Sequence, residues 1–450
     1  MTQVVERATP VSAPVARYVA DYHSAKTSSQ PQWLTALREN ALASFERLGF
    51  PTTKLEQWRF TSVAPITEKT FPLATDGLGA VNAGLTDSLS GGAAVAVCVN
   101  GRFAPSLSSL SGLPKGVQVL SLEQALISSP ALVEPYLAKL AASDAHAFTA
   151  LNTAFLRDGI VIVVAPHAVV ETPLEVVFAS VAAGKPTVSH PRLLVVAGEA
   201  SQAQILERYV GRGATFSNAV TEVWLGAGAV LDHYKVQEEP AEAFHIASMY
   251  LHGARNGTFS SHNVTFGGSL VRNDVVAVLD GEGIDCTLNG LYVGRDKQLI
   301  DNHTTIDHAM PHCGSHEIYK GILGEQSRAV FNGKIVVRPD AQKTDAKQTN
   351  KALLLSDDAQ INTKPELEIF ANDVKCTHGA AIGQLDDDAI FYLRSRGLGF
   401  DDARALLIHA FAEDILIRIK IAPLREHLEA ALTARLPTEG SVPMEGGVRL

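Results

Sequence analysis

The sequence predicts a mainly β chain whose strands form one long middle section between helical ends. Three observations point there. From about residue 158 onward, short apolar or alternating runs follow one another at 160–165, 193–197, 203–209, 220–225, 229–236, 246–251, 258–266, 270–279, 284–293, 298–306, 316–323 and 328–337. Glycine-bearing turns separate many of them, for example at Gly226, Gly228, Gly253, Gly267 and Gly283, and no long helical period interrupts the series. Strong helical periodicity is confined to residues 32–48 and to the stretch beyond residue 385.

Taken in order, residues 32–48 place Trp33, Leu37, Ala41, Phe45 and Leu48 at spacings of three and four, a helical stripe that Gly49 stops and Pro51 forbids to continue. Residues 93–99 are apolar and end at Asn100-Gly101, a turn signal. Residues 117–140 read as a short strand followed by further helix. The strand series admits two architectures, a sandwich or barrel and a parallel β-helix. Asn256-Gly257 and Asp280-Gly281 suit the tight hairpins of a sandwich. Longer, irregular connections and polar residues inside apolar runs (Cys286, Thr287 and Asn289; Thr304 and Thr305) suit stacked rungs, where like residues form ladders. On the residues alone the second is the stronger reading, but no strict repeat decides it.

After the strands, Asp386 precedes a helix ending at Gly397, and Asp401 or Asp402 caps a second helix over 402–422 that Pro423 closes or kinks. Leu407, Phe411, Ile415 and Ile419 form one stripe of it, with Ile408, Ala412 and Leu416 beside them. That arc is wide enough either to share itself between its own protein and a partner or to lie entirely on one core. The expected organisation is an N-terminal helical and mixed region over 1–155, a strand core over 156–383 and a C-terminal helical domain over 384–450.

Composition narrows function. The chain has 450 residues, 46% apolar and 19% charged, an ordinary globular balance. A net charge of −10 argues against a nucleic-acid footprint. No apolar run is long enough for a membrane span. Residues 1–30 mix Glu6 and Asp21 with two arginines and two prolines, which is neither a secretory signal nor a transit peptide, so a cytosolic protein is expected. Cys98, Cys286, Cys313 and Cys376 form no CxxC pair and are expected as free thiols. The chain contains no Walker phosphate loop, no GxSxG elbow, no HExxH helix and no GxGxxG turn, so a binding or scaffold role is favoured over catalysis.

Two constellations could carry chemistry. His303, His308, His312, Cys313 and His316 crowd into fourteen residues of a type that suits zinc or iron. Pro311 makes a turn there, however, and a solvated turn between rungs is the better reading. The second is Lys375-Cys376-Thr377-His378-Gly379, where strands hand over to helices. On an extended strand Cys376 and His378 share a face and could bind a soft metal or hold sulfur, with Lys375 favouring the thiolate. Spacing alone leaves this pair most simply structural.

At these residues a resemblance enters. The run from Ala341 to Arg396, the segments Gly49–Pro51, Glu56–Thr61 and Leu151–Gly159, and the stretch His303–Leu323 resemble the SufB/SufD family of iron–sulfur cluster assembly scaffold proteins, on its SufD side, over nearly the whole chain in order. The resemblance implies a right-handed parallel β-helix between helical ends. It implies SufB as a partner through the β-helices and the ATPase SufC as a partner through the C-terminal helices, which would assign Ile408, Phe411 and Leu416 to SufC binding; a homodimer in the absence of SufB is left open. It places Cys376 and His378 at the SufB boundary where a cluster forms, with the histidine implicated in assembly. No cofactor is then expected on the chain alone, and an iron–sulfur cluster is held only transiently in the complex. Where SufB carries a candidate sulfur-accepting cysteine this chain has Asn350, and where SufB has a glutamate it has Gly379. The competing expectations are a stand-alone metal-binding β-helix enzyme using the His303–His316 segment and a polysaccharide-active β-helix, which aromatic residues at only 6% disfavour.

Overall fold

The computed structural model describes residues 12–25, 31–74, 78–81, 83–91 and 94–436. Much of the 1–30 segment examined for a targeting signal, the first residue of the 93–99 run and the tail beyond residue 436 lie outside the described residues.

A chain whose interior polarity recurs from run to run stacks those runs as rungs, and two long sheets result. The first orders Arg102–Phe103, Ala94–Val99, Leu174–Val181, Gln202–Arg212, Val230–Gln237, Thr258–Thr265, Asp285–Gly294, Gly314–Leu323, Asp345–Leu354 and Lys375–Gly383 side by side. The second runs from Val117–Ser121 through Ile160–Val164, Arg192–Ala197, Thr215–Leu225, Phe244–Gly253, Leu270–Leu279, Leu299–His308 and Arg328–Val337 to Gln360–Ile369. Successive strands of the chain alternate between the sheets, and neighbours within each are parallel except at the N-terminal ends. This is a parallel β-solenoid of about eight turns; the hairpin-built sandwich is excluded, because sequential strands do not pair. Two pairs of consecutive strands at the N-terminal end are the exceptions: Val117–Ser121 pairs with Ile160–Val164, and Asn100-Gly101 is a true tight turn joining Ala94–Val99 to the antiparallel Arg102–Phe103, with both residues at positive φ.

Every second residue of a rung faces the interior. Apolar positions such as Leu231, Phe259, Leu288, Ile306 and Phe331 fill much of it. Polar ones stack in ladders, as where Asn273 Nδ2 donates to Asn302 Oδ1 at 3.1 Å across one rung. Gly290 and Gly321 are interior positions that make room for rings: a Cβ on either would fall 2.2 Å from Tyr319 or Tyr292.

The outer faces are covered differently. Over the second sheet lie the helices Ala13–Ser24, Gln32–Leu48 and Ala147–Ala154, with Tyr18, Phe45, Phe148 and Phe155 packed against Phe216 and Phe244. Buried arginine–carboxylate pairs fasten non-solenoid segments to the sheets. Glu222 pairs with Arg192 and also accepts the backbone N–H groups of Ala138, Leu140 and Ala141. Glu175 pairs with Arg208 at 2.8 Å and accepts Ser88 and the N–H of Ser90. Arg272 bonds Asp301 and the Gln57 carbonyl, both at 2.7 Å, beneath the Trp58 ring. From this anchor the segment reaches on to the last strand of its sheet, where Glu56 pairs with Lys364.

Three helices follow, Asp387–Ser395, Phe400–Leu416 and Ala422–Thr433; the last two lie over the first sheet, and Asp387–Ser395 packs on Phe400–Leu416. Asp386 caps the first of these, accepting the N–H of Asp388 at 2.9 Å. The single helix expected over 402–422 is instead two. Gly399 holds the cap position, Asp401 and Asp402 sit in the first turn, and the helix ends at Leu416. Pro423 then opens the next helix, where its missing N–H costs nothing, rather than closing the previous one.

The two ends of the solenoid are unlike. At the N-terminal end the sheets finish in the short antiparallel strands Arg102–Phe103 and Val117–Ser121. At the other end Gln360–Ile369 and Lys375–Gly383 each have a neighbour on one side only, and most of Lys375–Gly383 is exposed. Pro365 is tolerated in such a terminal strand, where no full ladder requires its N–H.

Candidate functional site

The open last rung carries the Cys376–His378 pair. In register, Cys376 lies over Ala346 and His378 over Gln348, both buried interior positions, so the two side chains share the interior-facing side of the strand. Among the described residues nothing stacks beyond them, and His378 is exposed. Cys376 is half-buried and packs against the apolar cluster that contains Ile335, Val337 and Ala346. The expectation that Lys375 favours a thiolate is corrected: as the adjacent residue it sits on the opposite face, while burial, with a smaller contribution from Asp345, pushes the thiol up. A backbone N–H from Ala346 opposes this only in part.

Beneath the rung lies a polar floor. Gln348 Nε2 donates to Glu317 Oε2 at 2.7 Å. Asn350, the position matched with the SufB-type cysteine, is buried one rung below Ala380 and donates to Thr363 Oγ1 at 3.0 Å. Glu317 is an interior acid that sequence reasoning missed. Its signal was present, a carboxylate at alternating parity inside the run 316–323, but it becomes visible only once the rung register is known.

The His303–His316 residues are not brought together. His303 pairs with Asp301 at 3.0 Å, His308 is buried against Ser315 at 2.9 Å, and His312 occupies the turn with φ +60°. Cys313 is buried and donates to the Gly281 carbonyl. Among the described residues no three His, Cys, Asp or Glu side chains converge to hold a metal ion. Cys376 and His378 supply two donors on one face, fewer than the four that a closed site takes.

The residues expected to meet SufC are also placed. Ile408 and Leu416 are fully buried against Val264, Leu291 and Ile322 of the first sheet, so the expectation that they form the free side of the arc is corrected. Phe411 is half-buried over the Lys320 ammonium, whose Nζ donates to the Phe411 carbonyl at 2.9 Å. The exposed apolar residues of these helices are Phe391, Tyr392, Leu398, Phe400, Leu406 and Ile417.

Comparison with known proteins identifies this architecture. The family model described as the SUF system FeS cluster assembly SufBD core domain matches residues 178–411, and that of the SufBD N-terminal region matches residues 16–176. The chain belongs to the SufBD family of iron–sulfur cluster assembly proteins. A SufBD family protein of Synechocystis is 33% identical to it, covering 88% of this chain and 90% of that protein. The assembly protein SufD of Escherichia coli is 31% identical over 87% and 90%, and SufD of Bacillus subtilis is 27% identical over 90% and 95%. The two SufBD models meet near residue 177, within the strand Leu174–Val181 of the first sheet. Among the described residues no helix is long and apolar enough to cross a membrane.

Proposed function

We propose that this chain is a SufD-type, non-catalytic scaffold subunit of a SUF complex. It pairs with SufB through its last rung, docks SufC on its terminal helices, and contributes His378 to a cluster in assembly. The observation that carries the reading is the open rung. Unpaired strand edges are templates for another chain, and Phe370 and Ile382 add exposed apolar surface there. A partner stacking its own rung on this one would bury Cys376 and His378 and add the donors that this face lacks. Four unpaired cysteines suit the reducing compartment in which such chemistry runs. The SufC surface is the exposed set from Phe391 to Ile417, not the buried Ile408 and Leu416, with Phe411 at its margin.

Co-expression of the full chain with SufB and SufC tests this directly. A co-purifying complex that assembles clusters from iron and a sulfur donor is the expected result. Failure to capture SufB, or capture that persists after Phe370 and Ile382 are made lysine, would remove the edge-pairing reading. A second copy of the chain on the same edge would show as a dimer only when SufB is withheld.

A further inference from the structure

Inside the solenoid, polar side chains form a column that leads to the open rung. It begins at a cavity of about 20 Å³ lined by Glu207, His233, Lys235, Ser261, Asn263 and Asn273, room for about one water. Lys235 Nζ donates to Asn273 Oδ1 at 2.7 Å, and Asn273 Nδ2 to Asn302 Oδ1 at 3.1 Å. Two residues along the same face, Thr304 lies near the Glu317 carboxyl without a well-formed hydrogen bond to it. Glu317 accepts from Gln348, and His378 is the next residue of that interior column. Gly333 makes room for the Gln348 amide in the column, since a Cβ there would fall 2.1 Å from Gln348 Nε2.

Along this line five buried polar atoms make no well-formed hydrogen bond to protein: Asn263 Oδ1, Asn302 Nδ2, Thr304 Oγ1, Glu317 Oε1 and Gln348 Oε1. Buried polar atoms of this kind are satisfied by internal water in folded proteins. We propose that the column is a water-filled proton path that opens at the last rung beneath His378, with Glu317 as its proton-holding group. The proposal rests on the assignment of His378 above.

One proton moves and no electrons do. It leaves a carboxyl oxygen of Glu317 for a water bonded there, passes to the water held at Gln348 Oε1, and is handed to water at the open rung; Glu317 becomes a carboxylate and is reprotonated by the reverse route. Each rung adds about 4.8 Å, so the span from Glu317 to His378 is two rungs. The surroundings single Glu317 out. Burial raises its carboxyl to about 7, with Thr304 and Gln348 pulling back. Its titratable neighbours stay neutral there: burial pushes the Cys286 thiol and the Tyr319 hydroxyl up and holds His308, beyond Ser315, down at about 4. At the inner end burial lowers Lys235 to about 8.

Infrared spectra of the isolated full chain test the path. The protonated carboxyl band of Glu317 is identified at about pH 6 by its loss in Glu317→Gln. On transfer to deuterium oxide the band is expected to shift far faster than the amides of the surrounding strands exchange, and Gln348→Leu is expected to slow it. A wild-type carboxyl that exchanges only as slowly as those amides would be sealed, and the path would not exist, whatever the folding of the Gln348 variant. In the complex with SufB and SufC, Glu317→Gln is expected to slow cluster formation roughly tenfold or more and to flatten its pH profile. An unchanged rate and profile, alongside loss of assembly in His378→Ala, would overturn the path and keep the His378 assignment. Unchanged assembly in both variants would overturn that assignment itself.

Discussion

His378 stands on the last rung with solvent on one side and the Gln348–Glu317 pair below it, so replacing it removes an imidazole without cutting a contact on which the fold depends. His378→Ala is expected to leave urea stability within about 0.5 kcal/mol of wild type. Assembly of the complex with SufB and SufC should also survive, while cluster formation falls about tenfold or more. Cys376→Ala should be milder, because that side chain is partly occupied in packing against the cluster of Ile335, Val337 and Ala346. Glu317 makes a separate thermodynamic prediction. Its folded carboxyl, at about 7, lies above the ordinary value of 4.5, so the protonated form favours folding; that stability is full below about pH 4.5 and is lost as pH rises through about 7. Relative to wild type, Glu317→Gln should therefore gain about 3 kcal/mol between those limits, read from paired urea titrations. Buried Glu207 and Asp301, both held down at about 2, tilt the whole-chain profile the opposite way, so the difference between variants is the quantity to measure. The shared face of Cys376 and His378 was legible from a period of two. The weight of burial over Lys375 was not, because sequence spacing gives a side chain's parity but not what lies beneath it.

At the scale of one element, the helix Phe400–Leu416 shows how an apolar arc misleads. Ile408, Ala412, Ile415 and Leu416 are buried on the solenoid, whereas Leu406 and Ile417 face out. A sheet and a partner protein are equally apolar surfaces, so the sequence could not say which side of the arc meets which. Ile408→Ala and Leu416→Ala are each expected to cost about 2–5 kcal/mol by leaving a cavity, seen as a lowered Tm. Leu406→Asp with Ile417→Asp should stay within about 1 kcal/mol of wild type and lose SufC capture in a pull-down. Loss of the fold in that pair would mean that the outer side is also core. Most strands with an apolar interior were legible, although Leu174–Val181, with Leu174, Val176 and Phe178 inside, was absent from the series. Asp345–Leu354, Gln360–Ile369 and Lys375–Gly383 escaped the series of apolar runs because Gln348, Asn350, Thr363 and His378 occupy their interior positions. The positions that broke the strand pattern are those nearest the candidate site, where a polar interior is of use.

For the whole molecule, the choice between sandwich and solenoid turned on which strands pair, a long-range fact that strand periodicity does not contain. The paired architecture makes its two ends unequal, and the exposed one is where a partner is expected. Phe370→Lys with Ile382→Lys places charge on that edge, a common guard against strand addition. The doubly substituted chain should remain folded by circular dichroism, elute as a monomer and fail to retain SufB. Rungs of a solenoid touch only their neighbours and can form in any order. The segment around Trp58 does not follow that rule: Gln57 is held by Arg272, and Glu56 reaches Lys364 on the last strand of its sheet. Both partners of the outer pair are largely exposed, so it adds little to equilibrium stability. Its consequence is in time. A residue made among the first sixty emerges from the ribosome long before the strand it will touch, and must wait for almost all of the chain to be synthesised. Until then the segment has one mooring instead of two, and protease sensitivity near Leu55 would distinguish a chain still in translation from a finished one.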